Sequence, residues 1–348
     1  SILKIFFIRA NKTKYGGAEN YLSRLSVALE KRNIDHQIIN SIFPKFLPSW
    51  IRAILFNLQV CLLKKGKFYF SLDRISCPDV YRAGDGVHKV FLTVERKSKL
   101  NPLHPIYLFL ENRCFRNAKR IIANSNMVKN EIINTYDINP ANISVVYNGI
   151  ALKELNYKKS FNKLSKEFKI KPNNPVLLYV GSGFKRKGVE EFLQIIAKLN
   201  NPNIIGFIVG KEKKINHYLQ LARDLSIDEQ VIFTGSRKDV NDFYTIGDIF
   251  ILPTHYEPFS NTILEAMNFK NAVFTTCQNG ASEILNQEFI MKNPDDYSIV
   301  SKIDNILSDK IKLEAIKSNN RLISKKFSIE KNLIETLEVV KKGLQCNV

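Results

Sequence analysis

The sequence predicts an α/β protein built from two doubly wound, Rossmann-like domains in tandem, and three observations carry that prediction. The chain has 348 residues, more than one hydrophobic core usually serves, and 45% of them are apolar, ample for two. Short apolar runs alternate with helix-length amphipathic segments from end to end, the pattern of parallel strands covered by helices. Between residues 156 and 174 the alternation gives way to a polar connector, "NYKKSFNKLSKEFKIKPNN", and then starts afresh.

Residues 1–165 form the first expected domain. "ILKIFFI" opens it as a buried strand, too short for the apolar core of a signal peptide. Further strands are expected at "HQIIN", "KFYFSL", "RIIANS" and "ISVVYN", with helices near 18–32, 49–64, 103–118 and 126–136. The longest apolar stretch, "IRAILFNLQVCLL", falls short of the roughly 20 residues a bilayer needs and carries Arg52, Asn57 and Gln59. It reads as a helix packed on the core. In the second domain, 166–326, strands are expected at "VLLYVG", "NIIGFIVG", "QVIFTG", "DIFILP" and "NAVFTT", each followed by a helical segment. A last helix, "SIEKNLIETLEVVKKGL", lies within 327–348.

The five cysteines are odd in number, scattered and without a CxxC pair, which argues against a disulfide framework or zinc cluster and for a reducing cytoplasm. The net charge of +19 is concentrated: residues 1–150 hold 23 Lys/Arg against 10 Asp/Glu, the rest 29 against 23. The first half is therefore expected to meet something anionic. Residues 88–120 hold eight Lys/Arg against two acids, interleaved with Phe91, Leu92, Tyr107, Phe109 and Phe115, a composition suited to an anionic leaflet as well as to an ordinary amphipathic helix. A nucleic-acid partner would also answer to the charge, but no RNP or zinc-finger pattern is present.

Doubly wound sheets bind ligands beyond the carboxyl ends of their strands, so the loops there carry the functional argument. The first strand leads through Gly16-Gly17 into a helix, either a tight turn or a close approach to an anion. "VGSGFKRKG" brings Lys185, Arg186 and Lys187 together after a strand, a placement that a diphosphate would balance; GxxxxGK[ST] is absent, so no P-loop is expected. In "HYEPFSNTILEAMNF", Pro258 keeps Glu257 out of the helix, Ser260 or Asn261 suits its N-cap, and Glu265 lies roughly 6 to 8 Å further along the axis. Glycosidases need their two carboxyl groups on opposite sides of one bond, about 5 to 9.5 Å apart. Two glutamates on one loop-helix element do not face each other in that way. The helix N-terminus between them is instead a seat for phosphate, with hydroxyl-rich groups on both sides.

With these motifs in view, "EPFSNTILE" resembles the signature of the family 4 glycosyltransferases, retaining enzymes of the GT-B fold. The resemblance runs through the glycine pair, "VGSGFKRKG", "VIFTGSRKDV" and the closing helix, which in that fold crosses back to the first domain. "PDVYRAGDG" adds a likeness to the bacterial lipopolysaccharide core glucosyltransferases. It implies a hexose moved from a nucleotide sugar, with UDP as the expected nucleotide, to a phosphorylated glycolipid or saccharide acceptor at an anionic membrane surface. The protein would be cytoplasmic, peripheral on the inner face of the membrane, and would bind no nucleic acid.

For the residues the resemblance implies the following. Arg186 and Lys187 would hold the donor diphosphate, Glu265 the ribose and Glu257 the transferred sugar. The amides of Phe259, Ser260, Asn261 and Thr262 would cap the phosphates, Ser236 and Arg237 border the base, Gly16 and Gly17 approach the phosphates, and Asp85 contact the sugar or acceptor. Asp79 is a competitor for that last role whose position looks structural. No metal and no cofactor are expected, and the departing phosphate would itself help to deprotonate the acceptor. Ser182 stands where many members have arginine, and Ser260 where glycine is common. Within the fold a sugar-nucleotide 2-epimerase is the rival reading.

Overall fold

The computed structural model describes residues 4–13, 17–95 and 101–345. The chain divides into two compact units, one running to Asn148 and resuming at Ile329, the other spanning Gly149–Ser328.

The first unit contains β1 (Ile5–Ile8), α1 (Gly17–Lys31), β2 (His36–Ile39), α2 (Ser49–Leu62), β3 (Phe68–Ser71), β4 (Val80–Ala83), α3 (His88–Glu95), α4 (Leu103–Asn117), β5 (Arg120–Ala123), α5 (Asn126–Tyr136) and β6 (Ile143–Val145). Its strands form one parallel sheet in the order β2-β1-β3-β4-β5-β6. A parallel sheet is covered on both faces, which is why "FYFS" and "VYRA" are buried with almost no alternation. Phe7 and Phe70 meet edge to face at 5.3 Å in the core beneath α1.

Strand β4 is absent from the sequence reading, and its brevity and its arginine account for that. Arg82 is tolerated because its guanidinium lies 4.0 Å over the Tyr21 ring and donates to Asn148 at 3.0 Å. Asp79 is structural: its carboxylate accepts from the Tyr69 amide at 2.7 Å and pairs with Lys64 and Lys119.

The second unit contains α6 (Tyr157–Phe168), β7 (Val176–Val180), α7 (Phe184–Lys187), α8 (Val189–Leu199), β8 (Ile205–Val209), α9 (Ile215–Asp224), β9 (Val231–Gly235), α10 (Val240–Ile246), β10 (Ile249–Leu252), α11 (Asn261–Asn268), β11 (Ala272–Thr276), β12 (Ile290–Met291), α12 (Ile299–Leu307) and α13 (Lys310–Ser324). Its parallel sheet runs β12-β11-β10-β7-β8-β9. The last helix, α14 (Ile329–Gln345), belongs to the first unit, where Leu333, Val339 and Val340 join the core beneath α1.

Three expectations are corrected. The break between units falls at 148/149 rather than 165/166. The connector is not a linker, because α6 folds within it and docks on the second unit through Phe168 against Phe207 and Phe243, and through Ser160 and Lys163 on Asp242. The cysteines are not all free either: Cys61 and Cys77 form a disulfide joining the end of α2 to the loop after β3. Asn57 and Ser76 exchange two hydrogen bonds beside it, a tertiary proximity that spacing does not reveal.

Helix α2 also differs from the expected core helix. Phe56 and Val60 face inward, but Ile54, Leu58 and Leu62 line an exposed stripe, Leu62 being 73% exposed. Phe46 just before the helix is 85% exposed, and Phe109 on α4, which packs beside α2, is 61% exposed. Within 88–120, Phe115 is core and residues 96–100 lie outside the described residues. No helix among the described residues is long and apolar enough to cross a membrane.

Candidate active site

In the second unit the strand order reverses between β7 and β10, the switch point at which doubly wound sheets open a crevice. The loops leaving these two strands carry the cations and the glutamates singled out in the sequence. Glycine makes their approach possible. Gly188 has φ +84°, and a Cβ there would stand 1.9 Å from the Pro253 carbonyl oxygen. At the end of β8, a Cβ on Gly210 would meet the Gly181 carbonyl at 2.0 Å.

With the loops pressed together, the Arg186 carbonyl accepts from the His255 amide at 2.7 Å. The Arg186 guanidinium turns back, donating to the Tyr256 carbonyl at 2.8 Å and to the Glu257 carboxylate. Lys187 Nζ stands 3.7 Å from the same carboxylate, whose side chain is only 13% exposed. Glu257 is fixed from behind as well: its amide donates to the Gln278 carbonyl, and its carbonyl accepts from the Gly280 amide. His255 Nε2 lies 2.9 Å from Glu191.

Ser260 is the N-cap of α11, as expected, but its hydroxyl pairs with Thr262 Oγ1 at 2.7 Å and caps no backbone amide. Its own amide donates to the buried Asn279 side chain, which also accepts from the Ala281 amide and donates to Thr275. Asn279 thus ties α11 to the strand beside it. The sequence reading missed this residue, and "TTCQNGASE" carries no signal for it beyond a polar group directly after a strand. Phe259 and Ser260 are buried. Four residues into α11 from Asn261, Glu265 accepts from the Tyr244 hydroxyl at 2.9 Å. Burial and that carboxylate hold Tyr244 well above the usual phenol range, and its ring stacks on Phe269 at 5.7 Å.

Arg237, expected to border the base, is paired within the second unit. Its guanidinium makes a two-pronged pair with Glu167 at 2.6 and 2.8 Å, grips Asp239 at 2.9 and 3.0 Å, and lies over Phe168 and Phe243. It is the clamp that fastens α6, while Ser236 is exposed beside it. The Arg237 hydrogen bonds, more than any other contact, hold the Asp239 carboxyl well below its ordinary value of 3.8. A depressed carboxylate stabilises the fold above its unfolded pKa and loses that contribution as pH falls through the folded one. Arg237→Ala is expected to cost about 1–2 kcal/mol at neutral pH, discounted for partial exposure. In urea melts the gap from wild type should shrink below about pH 4; an equal gap at pH 7 and pH 3 would rule the clamp out.

In the first unit, Gly16 lies outside the described residues and Gly17 starts α1. Asp85 is exposed in the turn between β4 and α3. Its charge helps to raise the pKa of Asp73, on which burial acts more strongly, while the Ala10 amide and Arg9 oppose.

The family described as "Glycosyl transferases group 1" matches residues 160–323, and "Glycosyltransferase Family 4" matches 83–154. An uncharacterized glycosyltransferase of Methanocaldococcus jannaschii, MJ1607, is 25% identical over 65% of this chain and 60% of its own. The Staphylococcus aureus capsular polysaccharide biosynthesis glycosyltransferase CapM is 31% identical over 61% of this chain and 58% of its own. The matched part of the chain thus spans about three fifths of the length of these two relatives. Among solved structures, WaaG, a glycosyltransferase involved in lipopolysaccharide biosynthesis, superposes with a TM-score of 0.79 at 19% identity, covering 96% of this chain and 99% of its own. Anabaena HepE in complex with UDP and glucose gives 0.75 at 18% identity over 97% and 99%.

Proposed function

This chain belongs to glycosyltransferase family 4 and has the GT-B fold, and we propose that it moves a hexose from a nucleotide sugar to a membrane-associated glycolipid acceptor, such as a lipopolysaccharide inner core, with retention at the anomeric carbon. The observation that carries the reading is the cluster at the β7/β10 switch point: two cations and Glu257 in contact, beside the start of α11. Such a site suits a diphosphate that gains charge as it leaves. UDP is the proposed nucleotide; HepE, of the same fold, has been solved with it.

In the proposed step the bond between the anomeric carbon and the diphosphate breaks, and the acceptor oxygen forms its bond on the same face. The acceptor's proton passes to the departing phosphate oxygen. Arg186 and Lys187 stabilise the diphosphate charge, Glu257 orients the sugar hydroxyls, and Glu265 takes the ribose. These cations supply the charge that a metal supplies in other transferases, so the proposed transfer is metal-independent.

A thermal-shift screen of nucleotide sugars tests the donor. UDP-hexoses should raise the melting temperature of the wild type, and Glu265→Ala should weaken their binding about tenfold or more by losing both ribose contacts. If no nucleotide sugar stabilises the wild type, the donor reading fails.

The acceptor end is proposed to lie at the inner face of the cytoplasmic membrane. Its support is the basic first half of the chain together with the apolar stripe of Ile54, Leu58 and Leu62, with Phe46 and Phe109 close by in the fold. The Cys61–Cys77 bond removes cysteine usage as an argument for that compartment. Leu58→Glu is expected to reduce cosedimentation with phosphatidylglycerol vesicles severalfold, and the wild-type binding should fall with salt. Equal sedimentation of wild type and variant would place the membrane contact elsewhere.

A further inference from the structure

We propose that Tyr244 is a positioning residue: it sets the Glu265 carboxylate for two neighbouring hydroxyls and thereby restricts the donor to nucleoside diphosphate sugars with an intact ribose. That role for Tyr244 rests on the glycosyltransferase reading, in which Glu265 takes the ribose. Tyr244 lies on α10 and Glu265 on α11, twenty-one residues apart. The Tyr244 hydroxyl donates to Glu265 Oε2 at 2.9 Å. The tyrosine is 1% exposed, whereas Glu265 is only half-buried. A buried donor therefore holds a carboxylate that a ligand can still reach.

A phenol suits that task because it stays protonated and neutral. Burial above all, and then the Glu265 charge, raise its pKa well above the ordinary 10.0, so it remains a donor throughout the physiological range. A neutral donor fixes the direction of a carboxylate without offsetting its charge. Glu257 differs in this respect, since Arg186 and Lys187 both compensate it. A carboxylate has about four acceptor positions, of which Tyr244 fills one on Oε2. Capacity remains for the two hydroxyls of a ribose, the group that an acidic side chain holds in other doubly wound nucleotide sites. A deoxyribose leaves part of that capacity unpaired, and a site built around hydroxyls rejects an analogue that lacks them.

Tyr244 can position Glu265 only if it is itself held, and two contacts hold it. Its ring stacks on Phe269, just past the end of α11, with centroids 5.7 Å and planes 11° apart. Its carbonyl accepts from the Asn271 side-chain amide at 2.8 Å, and the same amide donates to the Ala266 carbonyl at 3.0 Å. Asn271 is fixed in turn, its carbonyl accepting from Asn320 on α13 at 2.8 Å. The two helices that carry the pair are thus fastened to each other at both ring and backbone. A glutamate without the phenol bond would sample several rotamers, and ordering it on binding would lower affinity. Held beforehand, it needs no such ordering.

The test is isothermal titration of the whole chain with UDP, 2′-deoxy-UDP and 2′,3′-dideoxy-UDP, for wild type, Tyr244→Phe, Glu265→Ala and the double variant. Wild type should bind UDP at least about tenfold more tightly than the dideoxy compound, with the deoxy compound between them. Tyr244→Phe keeps the ring and its stack. It should lose about five- to tenfold in UDP affinity yet bind the dideoxy compound within about twofold of wild type, which also certifies its fold. In the double variant UDP should bind no more weakly than in Glu265→Ala, because the hydroxyl acts through that carboxylate. Equal losses on UDP and the dideoxy compound in Tyr244→Phe, or no loss on UDP, overturn the proposal, and so do additive losses in the double variant. Wild type binding all three compounds alike overturns it together with the ribose role of Glu265, while the diphosphate reading stands. Wild type binding none of them defeats the donor reading itself, and the proposal with it.

Discussion

Arg186→Ala is expected to lower turnover about a hundred- to a thousandfold, the range observed when one preorganised donor to a developing anion is removed. The geometry makes the effect specific to the reaction. Arg186 Nη1 is held on the Tyr256 carbonyl at 2.8 Å and on Glu257, so its charge is fixed in place before any substrate arrives. No reorganisation is then needed when the diphosphate departs. Arg186→Lys should recover only part of the loss, because an ammonium keeps the charge but lacks the planar fork that serves two acceptors at once. Lys187, at 3.7 Å from Glu257, keeps that carboxylate partly compensated in either variant, so the fold should survive. Steady-state rates with a nucleotide sugar and an acceptor check the prediction; rates within a few fold of wild type for Arg186→Ala would remove Arg186 from the mechanism.

What the sequence made legible was the part governed by local rules. A strand ending just before Gly181, the cations after it, Pro258 keeping Glu257 out of the helix and Ser260 starting that helix each follow from nearest neighbours, and all four recur in the structure. Where a residue's surroundings come from distant segments, local rules fail. Nothing near Arg237 in the sequence announces its partner on α6, which is Glu167, seventy residues away. Cys61 and Cys77 look unrelated until α2 packs beside the loop after β3. The connector reads as polar, although Tyr157, Phe161, Leu164 and Phe168 recur at helical spacing within it; that period was the available signal for α6.

Glu257→Gln is expected to separate two properties that a simple binding residue would lose together. Turnover should fall about a hundredfold or more, since an amide cannot hold sugar hydroxyls as a carboxylate does and cannot stabilise positive charge developing at the anomeric carbon. Affinity for a nucleoside diphosphate without a sugar should not fall, and should rise severalfold. The reason lies in the ion pairs: Glu257 contacts both Arg186 and Lys187, the two cations proposed to grip the diphosphate. An incoming diphosphate must compete with that carboxylate for the same donors. At an effective dielectric of about 20, unit charges about 4 Å apart interact by roughly 4 kcal/mol, so deleting the competitor shifts the balance toward the ligand even after solvent screening. The Gln278 and Gly280 backbone contacts of residue 257 are untouched by the substitution, so the loop keeps its position. Titration calorimetry with UDP and single-turnover rates with UDP-hexose measure the two properties separately. A tenfold loss of UDP affinity in Glu257→Gln would mean that the carboxylate serves to hold the two cations in place, and its proposed role at the sugar would then have to pass to another residue.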